Sequence, residues 1–354
     1  MIFYLRSMHV DYIVVGVGLA GISFCEQLRN NNKTFIVFDN NSQLSSAVAG
    51  GLYNPVVLKR FTPVWKAKEQ LELALPMYAN LEQFLNIKLD YKLPVYRKFA
   101  STEEQNNWFE ASDKPILEEY LSDTIIKNEN TNIYAPFGFG EVFKTGRIDV
   151  KTLIESYKKY LKKDNLYFEE DFNFDELKME SEKIKFKNIE AKQVVFAEGF
   201  GVKQNPFFNK LPLVPAKGEL LIIHAPELKI NFVLKSAAFL IPLGDDLYIV
   251  GATYEWKDLT NKISLKAKTV LLEKLRKLIK CSFKVVGQVA GVRPTVKDRR
   301  PLVGKHPKFN NLFVLNGLGT RGVMIGPYVA KQLYDFIEKG TPLESEIDIN
   351  RFTI

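Results

Sequence analysis

Residues Val10 to Asn40 read VDYIVVGVGLAGISFCEQLRNNNKTFIVFDN, and the order of residue types in this stretch decides the fold. YIVVG is an uninterrupted apolar run of the kind buried on both faces of a parallel sheet. Gly16, Gly18 and Gly21 follow as GxGxxG, and Ile22, Cys25 and Leu28 then recur at helical spacing. TFIVFD is a second apolar strand that ends in Asp39. The unit therefore reads β-α-β. Each glycine has its own task in such a unit: Gly16 makes the tight turn, Gly18 admits a pyrophosphate to the backbone, and Gly21 lets the helix pack on the strand. Asp39, eighteen residues after Gly21, is placed to accept hydrogen bonds from a ribose. An acid there disfavours a ribose phosphate, which argues against NADP without separating FAD from NAD.

Later segments return to the same crevice. KQVVFAEGFG carries a buried strand, Val194 to Ala197, closing on Gly199 and Gly201. NGLGTRGVMIGPYVAKQL, Asn316 to Leu333, follows the apolar run LFVL and leads into a helix on which Val329, Leu333, Phe336 and Ile337 recur. Its glycines, Gly317, Gly319 and Gly322, permit positive φ and close approach, and the free amides of a helix start favour acceptors and negative charge. Between Asp39 and the first long helix lies SQLSSAVAGGLYNPVVLKRF, where Ser45, Ser46, Gly50 and Gly51 offer hydroxyls and bare amides, or form an ordinary polar loop. A cofactor touched near residues 16, 45, 198 and 320 has to be extended, which points to FAD.

The chain of 354 residues is 46% hydrophobic and 12% aromatic, enough for a large core and two domains. No apolar stretch approaches the ~18 residues of a membrane-spanning helix, and MIFYLRSM is too short for a secretory core. A cytoplasmic location is expected, with Met1 to Ser7 a disordered prefix or a misassigned start ahead of Met8. Cys25 and Cys281 are the only cysteines, and His9, His224 and His306 are far apart. Neither a disulfide framework nor a metal site is expected. Lys plus Arg exceed Asp plus Glu by 49 to 41, a net +8. That excess suits a polyanionic partner such as RNA, or the solvated helix faces suggested by SYKKYLKK and EKLRKLIK.

Taken in order, VVGVGLAG, SSAVAGGLYNP, TGRIDVKTL, VVFAEG, LPLVPAKGEL, IPLGDDLYIVGATY, GVRPTVKDRRPLVG and NGLGTRGVMIGP resemble the D-amino-acid oxidase superfamily of FAD-dependent amine oxidases, which includes glycine and sarcosine oxidases. The resemblance runs from about Val10 to about Leu333. GLYNP, IVGATY and GLGTRGVMIGP are most similar to the C-terminal oxidase domain of a bifunctional tRNA wobble-uridine modification enzyme. That domain removes a carboxymethyl group from an aminomethyl-uridine. The chain has no room for the methyltransferase half, so a stand-alone oxidase, or a relative with another substrate, is expected.

The resemblance implies an α/β fold: a Rossmann-type FAD-binding domain with a parallel sheet, from residues 8–85, 145–210 and 286–345, and an interleaved α+β substrate domain with an antiparallel sheet, from 86–144 and 211–285. ELLIIHA, FLIPLG and LYIVGATY read independently as antiparallel strands. Cofactor binding falls to Gly16, Gly18, Gly21, Asp39, Ser45, Ser46, Gly50, Gly51, Ala197, Gly199, Gly317, Gly319, Thr320, Arg321, Gly322 and Val323.

Arg293 in GVRP matches the family arginine that binds the substrate carboxylate, a role that suits a bidentate fork; a surface or cofactor-phosphate arginine is the other reading. Arg321 is assigned to substrate, flavin or a polyanion, and Tyr53 and Tyr254 either line the substrate face or simply pack. Lys217 stands at a position often basic in the family, with no role assigned. Sarcosine oxidases carry a lysine two residues before the glycine that here is Gly251, and Ile249 replaces it, which puts oxygen as electron acceptor in question. No cysteine near GVRPTVKDRRPLVG supports covalent attachment, so FAD is expected to be noncovalent. The implied reaction oxidises the carbon next to an amine, in a small carboxylated amine or in modified tRNA. An NAD-dependent dehydrogenase, which needs only the first fingerprint, and a flavoprotein without turnover are the competing classes.

Overall fold

The structure, a computed structural model, describes residues 8–180 and 183–352; the prefix Met1 to Ser7 lies outside them. Six α-helices punctuate the described residues: α1 (Leu19–Asn30), α2 (Ala67–Leu85), α3 (Thr102–Ser112), α4 (Val150–Lys163), α5 (Leu265–Arg276) and α6 (Gly322–Lys339). Two eight-stranded sheets hold most of the strands among the described residues, beside a three-stranded and a two-stranded sheet.

The first sheet has a parallel centre. Tyr167–Phe168, Phe35–Phe38, Met8–Val15, Ile189–Phe196 and Leu312–Asn316 lie side by side in that order. Antiparallel strands at Ile184–Phe186, Leu177–Met179 and Leu302–Lys305 complete it. Phe35–Phe38 is buried at every residue and Ile13 and Val14 are wholly enclosed, as expected of strands covered on both faces. One cover is helical, where Phe24 and Leu28 of α1 meet Leu81 of α2, Tyr157 and Leu161 of α4 and Val329 and Leu333 of α6. The other is a phenylalanine cluster, with Phe172 stacked on Phe186 at 4.2 Å and edge-on to Phe38 at 5.6 Å.

Pro327 lies inside α6 and cannot donate to the carbonyl four residues back. The buried hydroxyl of Tyr78 donates to that oxygen, on Val323, at 2.9 Å. The start of α6 is thereby tied to α2.

The second sheet runs Lys284–Arg293, Ala216–His224, Leu247–Gly251, Phe239–Gly244, Val233–Lys235, Val95–Lys98, Phe139–Val142 and Leu121–Ile126. It is antiparallel except where Val233–Lys235 meets Val95–Lys98. The three strands expected between residues 211 and 256 are present and paired. Two features depart from the reading. Val233–Lys235 is an additional short strand, too brief to show a period. Lys284–Arg293 pairs with Ala216–His224 along its whole length, so the domain boundary expected at residue 286 falls inside a strand of the antiparallel sheet. Gly287 and Gly291 within it weaken the apolar alternation by which such strands are recognised.

Candidate active site

The C-terminal ends of Met8–Val15 and Ile189–Phe196 open into a cleft of about 1090 Å³ whose far wall is the second sheet. Its position is the crevice at the carboxyl ends of parallel strands where α/β sheets bind ligands.

At the first end the backbone does most of the shaping. Gly16 has φ +105°, and a Cβ there would lie 2.6 Å from the Ala197 carbonyl oxygen. Gly18 caps α1 with extended geometry. A Cβ on Gly21 would sit 1.9 Å from the Gly16 oxygen, so this residue packs helix on turn and lies outside the cleft lining. Ser46 Oγ accepts from Leu19 N at 3.2 Å, whereas the Ala20 and Gly21 amides find no acceptor among the described residues. Asp39 lines the cleft and is held from behind by Lys158 of α4 and the Tyr167 hydroxyl. Both donors use Oδ2, leaving Oδ1 without a protein donor among the described residues.

Ser45, Ser46, Gly50, Gly51, Ala197 and Gly199 also line the cleft. Gly51, at φ +70°, leaves no room for a Cβ beside the Ile148 oxygen. Glu198 sits between the two lining residues of its strand end, accepts from Asn205 Nδ2 at 2.7 Å, and is pushed up to about 7 by burial. Sequence reasoning passed over Asn316. It is buried, donates to the Gly199 oxygen at 2.8 Å and accepts from Gly317 N at 2.7 Å. That side chain couples the two later strand ends, and an asparagine at the exit of an apolar run was the available signal.

Gly319, Thr320, Arg321, Gly322 and Val323 line the cleft, and the Gly322 and Val323 amides have no acceptor among the described residues. Gly317 does not join them. It has φ +74° and faces Val296 and Leu302, and its amide is taken by Asn316, so it turns the chain and offers nothing to a ligand. The bare amides, the glycine cradle and the free oxygen of Asp39 together fit an extended dinucleotide that brings two phosphates, a ribose and an electron-rich ring edge.

The second end is built from side chains. Arg293 ends its strand and enters the cleft wall with its guanidinium 4.8 Å from the Tyr254 ring centroid. Gly218 opposite makes room for it, because a Cβ there would fall 1.8 Å from Nη2. Its one hydrogen bond runs from Nη1 to the Thr253 oxygen at 3.3 Å, and no carboxylate pairs with it among the described residues. Burial pulls the Arg293 pKa below its ordinary value. Arg321, at the start of α6, is lowered by burial and then by Arg299. Lys235, absent from the sequence-level assignments, lines the same wall with its ammonium 4.3 Å from the Phe239 ring centroid.

Two tyrosines expected together are separated. Tyr254 is at the cleft and 54% exposed, stacked with Trp256 at 6.1 Å. Tyr53 is 2% exposed, outside the lining, with its hydroxyl donating to Asp90 at 2.8 Å; it packs against the Gly146 backbone and cannot touch a substrate in the cleft. Lys217 is likewise enclosed, 3.6 Å from Glu219 and 2.5 Å from Asp258. Among the described residues no group of His, Cys, Asp or Glu could hold a metal, and no helix is long and apolar enough to cross a membrane.

Comparison with known proteins bears on this geometry. The family model DAO, described as FAD dependent oxidoreductase, matches residues 11–336. Glycine oxidase of Bacillus subtilis is 22% identical over 351 residues, covering 93% of each chain. The tRNA 5-methylaminomethyl-2-thiouridine biosynthesis bifunctional protein of Campylobacter jejuni is 23% identical over 300 residues, 82% of this chain and 45% of that protein; the chain spans less than half of that relative's length. The crystal structure of glycine oxidase from Geobacillus kaustophilus superposes with TM-score 0.78 at 18% identity, covering 98% of both chains.

Proposed function

The chain belongs to the DAO family of FAD dependent oxidoreductases, and on that footing we propose that it oxidises the carbon between an amine and a carboxylate, in an amino acid or an N-carboxymethyl amine. The observation that carries this reading is Arg293: a half-buried guanidinium at the cleft wall, given space by Gly218, braced by Tyr254 and left without an acid among the described residues. A planar carboxylate is the partner that such a fork accepts bidentately.

FAD, held noncovalently by the glycine turns, Asp39 and the start of α6, would supply the two-electron acceptor for the hydride leaving the amine-bearing carbon. The chain's own residues do the rest. Arg293 fixes the carboxylate, and with it the C–H bond that breaks. Tyr254 limits the tilt of the guanidinium. The unbonded amides of Gly322 and Val323, at the positive end of α6, would offset negative charge on a cofactor bound there. The amine N–H proton passes to solvent, and water adding to the resulting imine separates the nitrogen from the oxidised carbon.

A second reading, a carboxymethylaminomethyl group carried on tRNA, is supported by the exposed Tyr254–Trp256 stack beside the cleft and by Lys59 and Lys98 in its lining. Anaerobic reduction of the bound FAD by glycine, sarcosine, D-amino acids, proline and carboxymethylaminomethyl-modified tRNA tests both. Bleaching by carboxylated amines that is lost in Arg293→Ala is the expected result. Bleaching unaffected by that substitution would overturn the carboxylate role, and a protein purified with NAD in place of FAD would overturn the cofactor reading.

A further inference from the structure

Arg293, Arg321 and Lys235 line the cleft from three elements: the end of Lys284–Arg293, the start of α6 and the end of Val233–Lys235; Arg321 acts on Lys235 electrostatically. None has a carboxylate partner among the described residues. Among the other cations of the lining, Arg97 pairs with Glu104 at 2.5 Å and Lys158 with Asp39, Lys98 lies 5.7 Å from the Tyr134 ring centroid, and Lys59 is exposed to solvent. Like charges brought together without acids are unfavourable unless a ligand offsets them. On the reading above, a single substrate carboxylate would occupy Arg293, and Arg321 at the start of α6 would be given to the cofactor. That leaves Lys235 of the three.

We propose that Lys235 binds a second anionic group of the substrate, so that the preferred amine carries one acid at Arg293 and another at Lys235. This rests on the reading of Arg293 given above. The position suits the task. Lys235 is anchored by its strand between Phe239 and Arg97, and its ammonium sits over the Phe239 ring, 4.3 Å from the centroid. The ammonium is therefore directed by packing and does not swing freely in solvent. Burial foremost, and then the charges of Arg321 and Arg97, pull its pKa down to about 8, the behaviour of an ammonium without a counter-ion. An incoming anion would supply one. The class is an N-carboxymethyl amine bearing either a second carboxylate or a phosphate, and the two sources differ in size and charge.

The test measures kcat/KM by anaerobic flavin reduction for sarcosine, for iminodiacetate and N-carboxymethyl-β-alanine, and for 5-carboxymethylaminomethyluridine with and without a 5′-phosphate. Dissociation constants of the non-oxidisable diacids succinate and glutarate are read by titration calorimetry on the FAD-loaded protein. A preference for diacids, or for the phosphorylated nucleoside over the bare one, is expected, and whichever pair shows it identifies the source. Lys235→Met should lower the ratio of doubly to singly acidic kcat/KM about 10- to 100-fold, as loss of a charge-assisted hydrogen bond would, and weaken diacid binding in step. Lys235→Arg should keep most of the ratio. If the ratio is unmoved in Lys235→Met while Arg293→Ala still abolishes oxidation, the second-anion role is wrong and the amine reading stands. If no carboxylated amine reduces the flavin but succinate binding still depends on Lys235, the oxidase reading is the one that fails.

Discussion

The two ends of the cleft are made of different material. Around Gly16, Asp39 and Gly199 the ligand surface is mostly backbone, and its acids each hold a protein partner: Asp39 through one oxygen to Lys158 and Tyr167, Glu198 to Asn205. Around Arg293, Arg321 and Lys235 the surface is side chain, and its charges are unmatched. A satisfied end can hold a constant cofactor whatever the substrate. An unsatisfied end is completed only by the molecule it acts on, and so it is there that related chains can differ in substrate while sharing a fold.

The sharpest way to separate the ends is to damage each. Gly21→Ala places a methyl within 1.9 Å of the Gly16 oxygen, where only backbone can yield, and should leave a protein that retains little FAD. Measured as the flavin-to-protein ratio after gel filtration, a stoichiometric complex would contradict the packing role. Arg293→Ala should instead retain FAD and lose about 10²- to 10³-fold in kcat/KM for carboxylated amines, the usual consequence of removing one partner of a buried charge pair. Equal loss of flavin in both variants would dissolve the distinction.

A smaller effect comes from Gly218. Gly218→Ala intrudes on the Arg293 guanidinium at 1.8 Å and should cost roughly tenfold in kcat/KM by displacing a fork that is otherwise intact. Combined with Arg293→Ala it should add almost nothing, because the group it displaces is gone. Additive losses would mean that Gly218 acts elsewhere.

This contrast also governs what the sequence disclosed. Backbone sites announce themselves, since only glycine serves at Gly16 or Gly21 and the flanking apolar runs fix the register; the parallel centre of the first sheet and most of its lining were legible for that reason. Gly317 misled because a glycine needed for a turn looks the same as one needed for a ligand. Arg293 and Arg321, which line the cleft, stand out in the sequence through their motifs. Lys235 was not, because a lysine at the end of a three-residue strand resembles any surface lysine, and only tertiary placement beside Arg321 and Arg97 distinguishes it. Tyr53 failed in the opposite sense: proximity in sequence to the Gly50–Gly51 turn says nothing about which way a ring points, and this one points inward to Asp90.

If Lys235 is part of the unmatched end, pH reports it. The amine is cationic below about 8 and neutral above, so the advantage of a doubly acidic substrate is complete below that value and fades as pH rises through it. The groups that face it, Arg321 and Arg97, stay charged throughout. Deprotonation of the substrate amine favours oxidation at high pH for both substrate types, and taking the ratio of their kcat/KM values removes it. The ratio should fall several-fold between pH 7 and 9 in the native protein and be flat in Lys235→Met; a native ratio that rises would exclude the cationic role.

The matched end has a quieter signature in stability. Burial raises Glu198 from the ordinary carboxyl value of 4.5 to about 7. Between those values the folded chain keeps a proton that the unfolded chain has released, so folding stability declines as pH rises across the window and stays lower above it. Glu198→Gln retains an acceptor for Asn205 without the ionisation. Its FAD-loaded form should melt at the native temperature near pH 4.5 and several degrees higher at pH 8, a gain of about 3 kcal/mol at most. Melting curves that stay parallel from pH 4.5 to 8 would show that Glu198 ionises freely, and that this end of the cleft is no more self-contained than the other.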